Sequence, residues 1–381
     1  MPWRNHAQRR RAVAQPSAVE PRVELVLADD LAQWRAEWDA LVLSSSVPSP
    51  FLRSWWLAEV AKGRPTFVLV IEGGALIGGL SLEAPRRFFG VPIYRFAGSG
   101  VLCPDHLDMV ARPDRTDVVA AMVTEWFNRP GSRLIDLQGV VEHSVLPDVL
   151  SPCEDSLLDG APWEVLAAGS ADGYLATRSA NFRRSARRSA RKLADAGVRH
   201  RRVTGDVLQP ALEAFRDLQE LTPGREALLA ELPRLCAAVA AGVGSGEARV
   251  DVFESDDCIV AVSISFVVAG RLSMYQTARS LDPRFSSAAT VLHLAVIADA
   301  AAQGCVEVDM LRGLEPYKTS YASRQRQVIR VRAARGLGAD LVLRSWLVLD
   351  RARPMAGRLV RHLRSASRRN GPVRPDPTAH S

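Results

Sequence analysis

Residues 271–318 read RLSMYQTARSLDPRFSSAATVLHLAVIADAAAQGCVEVDMLRGLEPYK, and the order of patterns in this stretch decides the fold. Leu272–Thr277 reads as a strand. A loop from Ala278 ends Arg284-Phe285-Ser286 and leads into an apolar helix, Ala288–Ala302, closed by Gly304. Val306–Met310 is a second strand, carrying Asp309 near its end. Gly313, Glu315 and Tyr317-Lys318 follow just past the sheet's C-terminal edge, where ligands bind in α/β folds. Small residues at the helix start (Ser286, Ser287, Ala288, Ala289, Thr290) expose backbone N–H groups. Those groups and the helix dipole can hold a phosphate anion. The fragment by itself also reads as a helix capped by Ser286 or Ser287 with no ligand. Tyr317-Lys318 likewise also reads as a ring packed on the sheet beside a solvated amine.

Outward from this stretch the pattern stays α/β. Ala248–Phe253, the turn Glu254–Asp257 and Cys258–Val268 form a hairpin, preceded by helices near Leu208–Leu221 and Arg225–Ala241. Val328–Ala333 is a further strand. The same order of hairpin, further strand, helix and strand occurs about 175–180 residues earlier. There the strands are Phe67–Ile71, Ala75–Leu82 and Ile93–Phe96, then a helix from Asp114 through Phe127, then Leu134–Leu137. Leu107–Val110 is one more short strand. The echo predicts two copies of one mixed α/β domain with a boundary near 150–175. Between and around them the spacing predicts helices over Pro50–Lys62 and Ala180–Ala196, and a strand at Trp163–Leu166.

The chain has 381 residues, 47% of them hydrophobic and 24% charged, which excludes collagen, a disulfide mini-protein and a mostly disordered chain. Five scattered cysteines with no CxxC pair exclude a zinc ribbon, an iron–sulfur cluster and a thioredoxin-type site, and fit a reducing compartment. The uncharged apolar run Cys258–Gly270 has 13 residues, short of the ~20 that span a bilayer. Residues 1–21 are basic without an apolar core segment and read as a disordered arm rather than a signal peptide. The expected location is the cytoplasm.

The net charge of +7 is concentrated in two blocks. Residues 178–202 hold ten Lys/Arg and one acid, and residues 344–374 hold nine Arg and one acid. In the first block, Arg183/Arg187/Arg191 and Arg184/Arg188/Lys192 form two i, i+4 stripes on one helix face. Six unpaired like charges point to an anionic partner, or to a solvated face. The basic amphipathic tail, 341–381, reads as docked, disordered, or lying on an anionic membrane surface at the membrane's inner face. Asp105-His106-x-Asp108 alternates as a strand does and so spreads over two faces, which argues against a metal site. His143-x4-Asp148 and Gly98-x-Gly100 each lack the rest of the motif they begin, and no GxSxG elbow or P-loop occurs.

Residues 248–335 resemble the acyl-CoA-binding core of the GNAT acetyltransferase superfamily. Arg284-x-x-Ser287-x-Ala289 is similar in frame to the R/Q-x-x-G-x-G/A pyrophosphate loop, with Ser287 in place of the first Gly. Gly304, Asp309, Gly313 and Tyr317-Lys318, the Arg-rich segment Ser179–Leu193 and the helix around Phe51–Trp56 resemble the cellulose-biosynthesis (CelD/BcsL-like) branch. That resemblance implies an α/β fold of two tandem GNAT-like domains with mixed, mostly antiparallel sheets flanked by helices. The implied division is 22–160 and 161–340. It further implies acetyl-CoA or another acyl-CoA as co-substrate, no metal, and transfer to an amine or hydroxyl, with a glycan of cell-envelope polysaccharide biosynthesis among the acceptors. By the same resemblance, Thr277 would pair with the pantetheine arm, and Arg284 with Ser286–Thr290 would hold the pyrophosphate. Tyr317 would be the general acid, and Asp309 or Glu315 would position or deprotonate the acceptor. Arg184, Arg188 and Lys318 are expected to contact it. Two other readings stay open: a Fem-like aminoacyl transferase gripping tRNA through its basic helices, and a non-catalytic scaffold.

Overall fold

A computed structural model describes residues 22–350 apart from 63–64, 168, 171–172 and 257. The expected arm 1–21 and the tail from 351 onward lie outside the described residues. The first half runs β1 (Val23–Ala28), α1 (Arg35–Ser44), α2 (Ser54–Val60), β2 (Pro65–Glu72), β3 (Ala75–Phe88), β4 (Val91–Phe96) and a two-residue β5 (Val110–Ala111). It continues through α3 (Thr116–Asn128), β6 (Arg133–Val141), α4 (Leu146–Val149) and β7 (Cys153–Val165). After a short α5 (Gly173–Ala176), the second half runs α6 (Ala180–Asp195), β8 (Arg199–Val203), α7 (Leu208–Glu220), α8 (Glu226–Gly244), β9 (Ala248–Ser255), β10 (Cys258–Val268) and β11 (Arg271–Arg279). It ends with α9 (Ala288–Ala302), β12 (Glu307–Asp309) and β13 (Arg324–Arg335). Residues 337–350 are helical.

The strands join into one sheet in the order β1-β2-β3-β4-β6-β13-β7-β12-β11-β10-β9-β8, with β5 beside β3. Among the described strands, β4/β6 and β11/β12 pair in parallel and the other neighbours are antiparallel. The mixed, mostly antiparallel sheet flanked by helices is the α/β arrangement the sequence predicts. The order holds an exchange. β6 of the first half takes β13 as its outer neighbour, and β12 of the second half takes β7. Each half therefore lends its last strand to the other. The expected division at 160/161 falls inside β7. Its first residues, Glu154 and Asp155 among them, are exposed and polar, and only from Gly160 does the strand bury.

One core runs through both halves. Phe51 and Trp56 from the first half meet Phe266 and Tyr275 from the second, with ring centroids 5.0–5.8 Å apart. Such pairs add roughly 0.5–1.5 kcal/mol each beyond burial. The helix expected over Pro50–Lys62 is interrupted. Pro50–Leu52 form a 3₁₀ turn and Arg53 is extended (φ −67°, ψ 144°) before α2 begins. The cause is ionic: Arg53 reaches Glu247 of the second half through Nε and Nη2, both at 2.8 Å. Asp39 meanwhile takes the Ser54 amide and hydroxyl. A second core lies under α9, and a third under the helix at 337–350. Two stretches, Glu226–Gly244 and Pro283–Ala302, are long and apolar enough to cross a membrane by length and composition. Here they pack inward through Leu232, Leu235, Leu292 and Val296.

Candidate active site

The cleft starts where a parallel pair parts. β11 and β12 are in register from Arg271↔Glu307 to Ser273↔Asp309. β12 then ends, and the chain swings away through Leu311 (φ 54°) and Gly313 (φ 114°). A side chain at Gly313 would strike the Glu315 carboxylate, 2.4 Å from its Cβ position. β11 continues to Arg279 with only β10 beside it, bulging at Tyr275. Beyond Ser273 its outer edge has no neighbouring strand, although the Thr277 carbonyl accepts from Gln219 Nε2 at 3.4 Å, and an extended ligand bearing amides can add there as a strand would.

Two adjoining cavities of about 340 and 320 Å³ share Arg225, Thr277, His293 and Tyr317, and so form one continuous cleft. At one end are Ala289 and Thr290 of α9. At the other are Arg312, Glu315 and Lys318, with Val101, Cys103 and Asp105 contributed by the first half.

The residues named from the sequence take different places. Thr277 lines the cleft, and its Oγ1 is 2.7 Å from His293 Nε2. Ser287 is the N-cap of α9 without a side-chain capping bond, and Ser286 closes the preceding 3₁₀ turn. Val291 is the first α9 amide to reach a helical acceptor, Ser287 O at 3.1 Å. The amides before it are therefore open to an anion. Ala288 is buried; Ala289 and Thr290 face the cleft. Arg284 is exposed in the turn ahead of α9, paired with Asp282 at 2.7 Å. That pairing raises the Arg284 guanidinium's pKa and lowers that of the Asp282 carboxyl. Arg184 and Arg188 are exposed on α6 and line neither cavity.

Tyr317 is half-exposed, lines both cavities, and its hydroxyl has no hydrogen bond among the described residues. Burial, helped by Glu315, pushes its phenol above the usual 10, so it stays protonated at neutral pH. Glu315 lines the cleft with Oε2 3.1 Å from Lys318 Nζ. Lys318 is buried, not solvated: Nζ donates to Arg312 O at 2.7 Å and Leu311 O at 3.3 Å, pinning the turn that opens the cleft.

Asp309 does not reach the cleft. It is fully buried, with Oδ2 2.9 Å from His106 Nε2 and 3.2 Å from Arg326 Nη1, and Oδ1 accepting from the Leu311 amide. Burial alone would raise its pKa, but those three partners outweigh it and hold the carboxyl below the usual range. Of the two carboxylates expected on the acceptor side, Glu315 lines the cleft and Asp309 does not. Asp105 and Asp108 have separate partners, Arg312 and Ser144. Among the described residues no three metal-ligating side chains gather.

Sequence reasoning missed four features. His293 is buried against the cleft, and burial, reinforced by Lys318, lowers its imidazole to about 4, so it is neutral. The signal was present, since a histidine in the apolar run 288–298 is out of pattern. Arg225 lines both cavities from the start of α8. Arg312 is held by Asp105, with Nε at 3.0 Å from Oδ1, and its Nε donates to Cys103 Sγ at 2.8 Å. The Tyr275 hydroxyl donates to Leu102 O at 2.6 Å, fastening the first half's loop to β11.

No curated protein sequence matches the chain. Among solved structures, the fold is similar to the C-terminal domain of a putative lysylphosphatidylglycerol synthetase from Agrobacterium fabrum. That match has a TM-score of 0.55 at 12% identity, covering 84% of this chain and 97% of the other. It is similar to FemX at a TM-score of 0.56 and 10% identity, over 78% and 95% of the two chains. It is also similar to a conserved protein of unknown function from Bacteroides thetaiotaomicron, at 0.56 and 11%, over 82% and 100%. These likenesses show a shared fold. Residues 180–319, the segment that builds α9 and the open edge of β11, match the family model described as acetyltransferase (GNAT) domain.

Proposed function

We propose that the cleft transfers an acyl group, acetyl in the first instance, from acyl-CoA to an amine or hydroxyl acceptor. The supporting observation is one continuous cleft running from the open α9 amides, along the unpaired edge of β11, to the free hydroxyl of Tyr317. The pyrophosphate sits at the α9 start with Arg284 beside it, and the pantetheine amides pair with β11 near Thr277. The acceptor enters from the end walled by Val101, Cys103 and Arg312. Its nitrogen or oxygen attacks the thioester carbonyl, forming a tetrahedral oxyanion that unpaired β11 amides stabilise. The acceptor's proton passes to Glu315 directly or through water. The C–S bond breaks, and Tyr317 donates its proton to the departing thiolate. The polar lining of that end suits a hydroxyl- or amine-bearing acceptor such as an envelope glycan.

Calorimetry with acetyl-CoA tests the reading. Binding is expected, and acetyl-CoA at a hundred times Kd should add about 2.7 kcal/mol of stability. Arg284→Glu should weaken binding about tenfold by reversing a charge beside phosphates. A folded protein giving neither heat nor thermal shift with acetyl-CoA rejects it. A second reading, aminoacyl-tRNA as donor, draws on the fold shared with FemX and on the exposed arginines of α6. Filter binding of tRNA in place of CoA, falling steeply with salt, would favour it.

A further inference from the structure

The corner where the β3–β4 hairpin meets the helix at 337–350 turns apolar side chains outward. Phe89, at the hairpin tip with φ 47°, is 90% exposed, and the neighbouring Phe88 ring lies 4.6 Å from it. Leu337, Leu341 and Val348, on the outer face of the helix, are 87%, 66% and 63% exposed. The helix has already used its inner face: Ala339, Val342 and Leu343 pack on Val91, Ile93 and Leu134. Trp346 bridges to Phe88 with ring centroids 6.4 Å apart, so hairpin tip and helix form one surface. A left-handed turn position is cheapest for Gly or Asn; a phenylalanine there, pointing at water, gains nothing from the fold itself.

The charges around this surface are arginines. Arg86 and Arg87 are exposed on the hairpin, and Arg344 stands between Leu341 and Val348. The acids nearby are engaged or set beneath. Asp340 pairs with Arg344 at 2.8 Å and Asp350 with Arg332 at 2.6 Å, while Glu154 lines the groove under the helix. From this same corner the sequence continues into residues 351–381, which carry eight arginines and one acid.

We propose that this corner docks on an anionic lipid surface. Phe88, Phe89, Leu337 and Leu341 enter the headgroup region, while Arg86 and Arg87 meet lipid phosphates. Aromatic and aliphatic side chains at a projecting edge, ringed by cations, are what an interfacial contact requires. The proposal is independent of the acyl-transfer reading, because its readout needs neither CoA nor turnover.

The test is co-sedimentation of the full chain with phosphatidylcholine vesicles, with and without phosphatidylglycerol. Binding is expected with phosphatidylglycerol only, and should be lost at about 0.5 M salt. The double variant Phe88→Ser/Phe89→Ser, at exposed positions and with its melting temperature checked, should bind roughly tenfold more weakly or worse. Arg86→Gln/Arg87→Gln should weaken binding by a smaller factor. Equal binding to both vesicle types overturns the charge half of the proposal, and unchanged binding of the Phe pair variant overturns the hairpin's part. A wild type that ignores both vesicles overturns the whole and leaves the face to residues 351–381 or to a second copy. The second-copy outcome is read by sedimentation velocity as a dimer that Phe89→Ser dissolves.

Discussion

The two halves build the same parallel pair and treat it in opposite ways. In the first, β4 and β6 run together only at Ile93↔Leu134 and Tyr94↔Ile135. The gap beyond is filled by the chain itself: Leu107 bridges to Val140, donating to Gly139 O and accepting from the Val141 amide. Gly139 makes this possible, since a Cβ there would lie 2.5 Å from Pro104 O. The first turn of α3 holds Asp117, which already supplies negative charge at the positive helix end. In the second half the gap is open, and the first turn of α9 holds no acid. The segment that seals the first gap also carries Val101, Cys103 and Asp105 into the wall of the second. One copy has thus given up its own slot and become the boundary of the other's.

That contrast can be broken experimentally, and the largest effect is expected at Tyr317. Tyr317→Phe should lower kcat about 10²–10⁴-fold while CoA affinity and fold persist. Tyr94→Phe, in the sealed half, should leave kcat unchanged. Wild-type kcat in Tyr317→Phe would move the proton donor to another group.

His293 should appear next, in stability against pH. Its folded value, about 4, lies below the ordinary 6.5. On acidification the unfolded chain takes up the proton first. The contribution is therefore complete above pH 6.5 and is lost as pH falls toward 4. The loss is about 3 kcal/mol, and His293→Gln should lack it. Denaturant melts of both proteins across that window measure the difference.

Making α9 resemble α3 should cost binding. Ala289→Asp is expected to weaken acetyl-CoA roughly tenfold by placing a carboxylate where the pyrophosphate sits, and Asp117→Ala should leave it unaltered. Equal effects in the two helices would erase the distinction between the halves. The smallest change concerns the fastening between them. Tyr275→Phe removes one hydrogen bond to Leu102 O and should cost about 1 kcal/mol in chemical denaturation.

What the sequence made legible was local. The periodicity of Ala288–Ala302, the hairpin at 248–268 and the echo at 67–137 each depend on neighbours along the chain; the first two appear close to their expected bounds, while in the echo β3 and β6 run longer than expected and the strand expected at Leu107–Val110 shrinks to a bridge at Leu107 and the two residues of β5. The strand exchange was not legible. β7 opens with exposed Glu154 and Asp155, so its pattern is that of a loop until it meets β13. Within the site, Thr277 and Tyr317 could be named because they lie in a motif-bearing stretch. Asp309 and Lys318 lie in the same stretch, yet their environments are set by His106 and by the carbonyls of a turn. Neither contact leaves a periodic trace. Val101, Cys103 and Asp105 reach the cleft from roughly 170 residues upstream of β11, a proximity that only the folded chain creates.

The crossed strands also set an order of events at the ribosome. β6 is complete at Val141, but the strand that covers its outer edge begins at Arg324, roughly 180 residues later. At about 5–20 residues per second, that edge waits on the order of ten to forty seconds for its partner. During that interval β7 is present but has neither β12 nor β13 to pair with. A nascent chain in this state shows two adhesive borders to its neighbours, and truncated products retain them for good. In the full-length protein both borders are closed by strands of the second half, β12 on β7 and β13 on β6 and β7.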